Sequence, residues 1–264
     1  MNKPHKKIKV KPSNIFSFSY NQRDLEKRWL RGHLQGAYNA SSDQQSSAFR
    51  EKHIEEFLRN LTTPFFSVSP EIMKQFMIDY TRHHGEVLNA TLVGNEMDMS
   101  TYAVNNCLSI LAKTSMIRVL QPWYQELTKR QVKTPKIYFK DSGLFHTLLN
   151  VVTPEELRAS PRLANSWKGF VLEEIISHYK LDDKDCYFWS THAGTWVDLL
   201  ITVGGKRIAF EFKCLDRPKI KPSMKIAVKD LELDHLYVIY PGEETMELGE
   251  KVTAMGLDQF KNFS

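Results

Sequence analysis

The sequence has no apolar run approaching the ~20 residues that a membrane-spanning helix needs. It also has no G-x-x-x-x-G-K-S/T, so it carries no P-loop to cradle nucleotide phosphates, and no use of ATP is expected. Cysteine is scarce. Cys107, Cys186 and Cys214 lie far apart and show no metal-ligand spacing. A sparse, odd set suits a reducing, cytoplasmic setting, with packing as its role. Acid is in slight deficit: the net charge is +5, and Lys3, Lys6, Lys7, Lys9 and Lys11 account for that excess. The opening MNKPHKKIKVKPS is charged but has no apolar core, unlike a secretory signal. Residues 1–12 therefore read as a basic arm, either polyanion-binding or a solvated, disordered end.

What is present is ordinary globular material. The 264 residues are 42% hydrophobic and 25% charged, enough for two modest domains. Residues 13–66 read as helical. A short helix over RDLEKRWLRGHLQGAY stops at Gly32, NASSDQQSS (39–47) reads as a loop, and 48–61 is a helix. That helix places Phe49, Ile54, Phe57, Leu58 and Leu61 on one face. TTPFFSVSP (62–70) reads as a boundary.

Residues 67–150 follow the plan of a winged helix-turn-helix. A helix over 71–84 carries Ile72, Phe76 and Tyr80 on one side and stops at Gly85. ATLVGNEM (90–97) is a second helix. A third, capped by Ser100, turns Val104, Leu108 and Leu111 inward. MIRVLQPW and PKIYFK are strands, and QELTKRQVKT between them is a candidate wing. Tyr102, Asn105, Asn106 and Lys113 on the third helix, with Lys129, Arg130 and Lys133 in the wing, are the candidate DNA contacts. Asn can read adenine edges, and Lys or Arg can neutralise phosphates. The alternative is a winged helix used for packing alone, with a solvated face.

From residue 151 the pattern becomes α-β-β-β-α-β. Thr153, Pro154 and Glu156 spell a capping box, and 165–180 is an amphipathic helix. Strands follow at 186–192, 196–203 and 206–213, then a helix at 222–233 and a strand at 235–241. Gly204 and Gly205 make a tight hairpin turn between the second and third strands. Alternation puts Val197, Leu199 and Ile201 on one face and Asp198, Leu200 and Thr202 on the other, while Glu211 and Lys213 share a face. The hairpin thus brings Asp198 towards Glu211 and Lys213. Two neighbouring carboxylates repel unless one is protonated or a cation lies between them, and oxygen ligands suit Mg²⁺ or Mn²⁺. The competing reading is a surface ion pair between Lys213 and one of the acids.

These residues and this order resemble the PD-(D/E)XK nuclease superfamily. Within it, the chain is similar to a prokaryotic group of AAA-type ATPases that carry a nuclease-like C-terminal domain of unknown function. LRGH (30–33) resembles that group's L-x-R-G-G, and FREKHIEEFLRNL its following helix. KTPKIYFKDSGLFHTLL is close to K-x-P-K-x-Y-F-x-D-x-G-L, GFVLE (169–173) to G-x-x-F-E, YFWST to Y-x-W-R-T, and AFEFK to x-I-E-V-K. The resemblance implies an α/β (α+β) fold, with the winged helix followed by a PD-(D/E)XK-like αβββαβ domain over 151–264. It implies Asp198 and Glu211 as ligands of Mg²⁺ or Mn²⁺, Glu173 as a supporting metal acid, and Lys213 as the catalytic lysine. Asp141 is expected to cap a helix rather than act in a site.

The sequence departs from the pattern at Trp196, where the group has Glu, and at Ser190, where it favours Arg. Trp196 reads as packing or a base-stacking surface, and Ser190 removes a phosphate contact. With the ATPase core absent, the sequence reads as a natural truncation or a cloned portion of a longer member. The expected function is a divalent-metal-dependent DNA endonuclease-like protein. The alternative is a non-catalytic DNA- or protein-binding module. Expected partners are DNA, full-length ATPase relatives or a second copy, and not a membrane.

Overall fold

The first helix, α1 (Arg23–Arg31), ends where Gly32 takes a left-handed φ of +75°. A side chain there would also collide with the Asp141 carboxylate, so this turn needs glycine twice over. The computed structural model describes residues 23–61, 68–124 and 131–263. A short α2 (Gln35–Tyr38) leads to four further helices: α3 (Asp43–Asn60), α4 (Pro70–Tyr80), α5 (Ala90–Met97) and α6 (Thr101–Lys113). Ser42, Ser69, Asn89 and Ser100 cap them, each accepting a hydrogen bond from the N–H three residues on. Each such cap contributes about 1 kcal/mol.

Two expectations change here. Segment 39–47 is not all loop, because α3 begins at Asp43. Its polar residues show no apolar period, but Ser46 and Ser47 are buried, small enough to let the helix lie close to its neighbours. Phe49 and Ile72 are exposed, at 42% and 52%. Arg50 is buried beside Phe49's position, and its Nη1 donates to the Leu30 carbonyl at 2.6 Å. Ile54, Leu58, Phe76, Tyr80, Val104, Leu108 and Leu111 form one buried cluster, as their spacing predicts.

The chain continues through β1 (Ile117–Pro122), β2 (Lys136–Phe139), α7 (Ser142–Leu148) and α8 (Pro154–Ala159). Asp141 caps α7, accepting from Leu144 N at 2.8 Å and from His33 N at 2.7 Å. Thr153 and Glu156 form the expected capping box of α8. Then come α9 (Leu163–Tyr179), β3 (Tyr187–Ser190), β4 (Trp196–Val203), β5 (Lys206–Phe212), α10 (Pro222–Asp230) and β6 (His235–Tyr240). Three elements have no counterpart in the sequence reading: β7 (Met246–Gly249), β8 (Val252–Gly256) and α11 (Leu257–Phe263).

The strands join in one mixed eight-stranded sheet, ordered β2-β1-β3-β4-β5-β6-β8-β7. β1 pairs in parallel with β3 through Gln121↔Tyr187 and Pro122↔Phe188, so the sheet runs without a break across the boundary expected near residue 150. One cluster against the sheet gathers Trp29, Trp167, Phe170, Leu199, Ile201, Phe210, Phe212 and Phe260 from α1, α9, β4, β5 and α11. Another gathers Leu200, Ala209, Val238, Met224, Ala227 and Leu231, with α10 and the residue after it supplying the last three. Helices thus cover both faces, a mixed α/β architecture whose central strands are buried on both sides.

Candidate functional site

The β4–β5 hairpin closes as its glycines predict. Gly204 and Gly205 have φ of +57° and +76°, the paired positive values of a tight primed turn. The ladder runs from Val203↔Lys206 to Leu199↔Phe210. Beyond that pair, Asp198 reaches β5 through the Phe212 N–H and lies near enough to Glu211 for the two charges to act on each other. On its other edge β4 is irregular. It pairs Leu200 with Tyr187 but Val197 with Trp189, so β4 carries an extra residue at 198–199. This bulge overturns the simple alternation. Val197 packs with Leu200 and Ala209, while Leu199 and Ile201 pack with Phe210 and Phe212. An inserted residue reverses the side-chain period, and such bulges re-aim the side chain that they carry. The residue at this bulge is Asp198.

Asp198 is fully buried and doubly satisfied. Its Oδ1 accepts from Lys168 Nζ at 2.9 Å, and its Oδ2 from the Phe212 N–H at 2.9 Å. Lys136 Nζ stands 4.0 Å from Oδ1. Burial alone would raise the pKa of this carboxyl. The ammonium groups of Lys168, Lys136 and Lys213, with the Phe212 N–H, outweigh it and hold the pKa below its usual value. Burial also lowers the pKa of Lys136, with Asp198 opposing. Asp198 and its own hydrogen bond raise that of Lys168 against burial.

Glu211 is buried beside it. Lys213 Nζ lies 2.6 Å from Glu211 Oε2, while Oε1 is buried and has no hydrogen-bond partner among the described residues. Burial raises the pKa of this carboxyl, Lys213 lowers it, and the nearby Asp198 raises it again, leaving it above its usual value. Lys213 also sits 5.2 Å from the centroid of the Trp196 ring. Trp196, read from sequence as a packing or stacking residue, is thus a wall for the lysine. Three lysines and two carboxylates share the centre, leaving one positive charge in excess.

Glu173, expected as the supporting acid, is engaged by an arginine. Arg118 on β1 holds it with two hydrogen bonds, from Nε at 2.5 Å and Nη2 at 2.8 Å, and bonds Asp183 as well. Its neighbour Glu174 is also engaged, by Arg28 at 2.6 Å, His33 at 2.7 Å and Lys261 at 2.8 Å. Burial opposes the charge of Glu174, yet these three partners hold its pKa at about 2. The residue that α9 contributes to the centre is Lys168. The described residues contain no group of three or more His, Cys, Asp and Glu placed to hold a metal ion. Mg²⁺ needs no such cage: it keeps several waters and binds through one or two carboxylates. Asp198 and Glu211, with the unpartnered Glu211 Oε1, fit that requirement.

Sequence reading missed Lys136 and Lys168. Lys136 carried a signal: it opens a strand, KIYF, that is buried throughout, and a lysine so placed needs a counter-charge. Lys168 carried none, because which way it turns from α9 depends on how that helix lies on the sheet.

The candidate DNA contacts lie apart. Tyr102, Asn105 and Lys113 are exposed on α6, Tyr102 at 80%. Asn106 is half-buried and, with Tyr102, lines a largely apolar groove of about 740 Å³ beside Ile72, Phe76, Asp79 and Asp98. Lys133 is exposed, its ammonium 4.8 Å from the centroid of the Tyr124 ring. Lys129 and Arg130 lie outside the described residues. None of the described helices is long and apolar enough to cross a membrane.

Fold and site together define a mixed α/β protein with a buried carboxylate–lysine centre at the open end of a hairpin. Residues 22–155 match the profile of a domain of unknown function, DUF8612, and the chain belongs to that family. Residues 164–260 match a second domain of unknown function, DUF4143, which contains the whole centre except Lys136. The chain is also 32% identical over 235 residues to the uncharacterized proteins Rv2008c of Mycobacterium tuberculosis and Mb2031c of Mycobacterium bovis. That match covers 89% of this chain and 53% of each relative, so the chain spans about half their length. No solved structure matches it.

Proposed function

We propose that the Asp198–Glu211–Lys213 centre is a divalent-metal-dependent phosphodiesterase site of the PD-(D/E)XK kind, acting on DNA. One observation carries this reading. Asp198 and Glu211 meet across the open end of the hairpin, buried, with Lys213 on the second and one Glu211 oxygen unpartnered. Asp198 and Glu211 would hold Mg²⁺ or Mn²⁺. When bound, such an ion lowers the pKa of a coordinated water and neutralises charge growing on the phosphate. The chain's own residues do the rest. Lys213, backed by Trp196, offers donors that orient the attacking water and stabilise the phosphoryl oxygens. Lys136, too buried to leave, keeps Asp198 ionised.

Helices α4 to α6 with β1 and β2 serve in this reading as the winged helix, and Tyr102, Asn105, Asn106, Lys113, Lys129, Arg130 and Lys133 as the DNA contacts. The test is plasmid and linear DNA incubated with Mg²⁺ or Mn²⁺ and wild type, Lys213→Ala or Asp198→Asn. Cleavage by wild type that both variants lose supports the proposal. Absence of cleavage with either ion defeats its catalytic part.

A second reading, a non-catalytic module docking on DNA or on longer ATPase relatives in the cytoplasm, draws on different observations. Both Asp198 oxygens already have partners within the chain, and Glu173 is held by Arg118. DNA affinity at low salt that chelation of metal leaves unchanged would favour it.

A further inference from the structure

The three lysines of the centre are not equivalent. The Lys136 and Lys213 side chains are 10% and 11% exposed, whereas that of Lys168 is 26% exposed. Lys136 is pinned, with its ammonium 4.9 Å from the centroid of the Phe188 ring. Lys213 is paired to Glu211. Lys168 projects from α9, reaches Asp198 Oδ1 from the most exposed position of the three, and has a flexible four-carbon stem.

Charge decides how the centre responds to a divalent cation. It already holds three ammonium groups against two carboxylates. Two further positive charges beside all three lysines, in a buried setting of low effective dielectric, would repel strongly. The ammonium best able to retreat is the one with solvent beside it.

We infer that Lys168 is a tethered competitor of the divalent ion for Asp198, so that the metal-free site is closed by its own lysine and ion binding expels Lys168 towards solvent. This rests on the metal-site reading above and adds a regulator to it. Without metal, Lys168 supplies the one side-chain hydrogen bond that Asp198 Oδ1 is given, with Lys136 farther off at 4.0 Å. With metal, the freed ammonium is left at the rim of a site built for a phosphodiester. The ion concentration needed for loading is then set in part by α9, not by the carboxylates alone.

The experiment follows Mn²⁺ binding by the loss of its free electron-paramagnetic signal, without DNA, in wild type, Lys168→Gln and the Lys168→Gln/Asp198→Asn double variant. Removing the competitor should tighten binding about tenfold or more, since an ion pair at this distance is a strong opponent. The double variant should lose that binding. Wild type that binds Mn²⁺ with an affinity that Lys168→Gln leaves unchanged or weakens overturns the inference while leaving the metal site standing. No Mn²⁺ binding by either protein defeats both. A second measurement needs no variant: acetylation of Lys168 in wild type, read by mass spectrometry, should quicken on adding Mn²⁺. Unaltered reactivity overturns the inference.

Discussion

Arg118 grips Glu173 through two parallel hydrogen bonds, joining β1 to α9 across 55 residues of sequence. The Arg118 side chain is 4% exposed and that of Glu173 12%, so neither charge has ready access to water. Removing one partner leaves the other buried without its counter-charge. Arg118→Ala should therefore destabilise the protein by about 3 kcal/mol, measured by urea unfolding. Arg118→Met with Glu173→Leu should recover much of that loss. A cost near zero for Arg118→Ala would show that the pair does not tie the two elements together.

Asp198 offers a graded comparison. Asp198→Asn keeps an oxygen that can accept from the Phe212 N–H, but it removes the carboxylate nearest Lys136 and Lys168. Asp198→Ala removes the acceptor as well. The alanine variant should lose about 3 kcal/mol or more, and the asparagine variant less. Equal losses in urea unfolding would mean that the hydrogen bond to Phe212 adds nothing.

Acid should weaken the fold before the carboxylates titrate. His84 and His146 are fully buried, and burial lowers both pKa values to about 3, from 6.5. Their folded pKa values lie below the unfolded ones, so the unfolded chain binds more protons between pH 6.5 and about 3. The stability tied to their neutrality is full above pH 6.5 and declines as the pH falls through that window. Glu174, at about 2 against a usual 4.5, adds a further loss below pH 4.5. Unfolding should take up about two protons near pH 5, seen as a falling urea midpoint from pH 7 to pH 5. A midpoint independent of pH over that range would contradict the assignment.

The hairpin turn can be tested without touching the centre. A side chain at Gly204 would meet nothing within 4 Å, so the only cost is its φ of +57°. Gly204→Val should cost about 1–2 kcal/mol, whereas Gly204→Asn, a residue at home in this conformation, should be nearly neutral. Thermal unfolding of the two variants gives the comparison. Equal shifts would place the cost elsewhere than in backbone conformation.

Short-range chemistry made much of this protein legible. Ser100, Thr153 with Glu156, and Asp141 cap helices where their residue types predict, because a cap is a bond between residues three apart. Gly204-Gly205 announced the hairpin, and its register brought the start of β4 beside the end of β5, where Glu211 lies. β7, β8 and α11 escaped because their segment is short and weakly patterned: β8 forms in parallel against β6, and β7 closes the sheet edge beyond it.

By itself the sequence determined the helices with good caps, the β4–β5 turn and the meeting of two carboxylates with one lysine. Each depends on residues close along the chain or on a period that a single strand displays. Tertiary structure decided the rest. A bulge against β3 re-aimed Asp198, Lys168 reached it from 30 residues away, and Lys136 came from β2. Arg118 claimed Glu173. Packing of α9 on the sheet sets which of its side chains meets the buried acid, and no local pattern encodes that rotation. The result is a centre with two lysines more than its motif alone suggested, and with the helix acid Glu173 paired to an arginine.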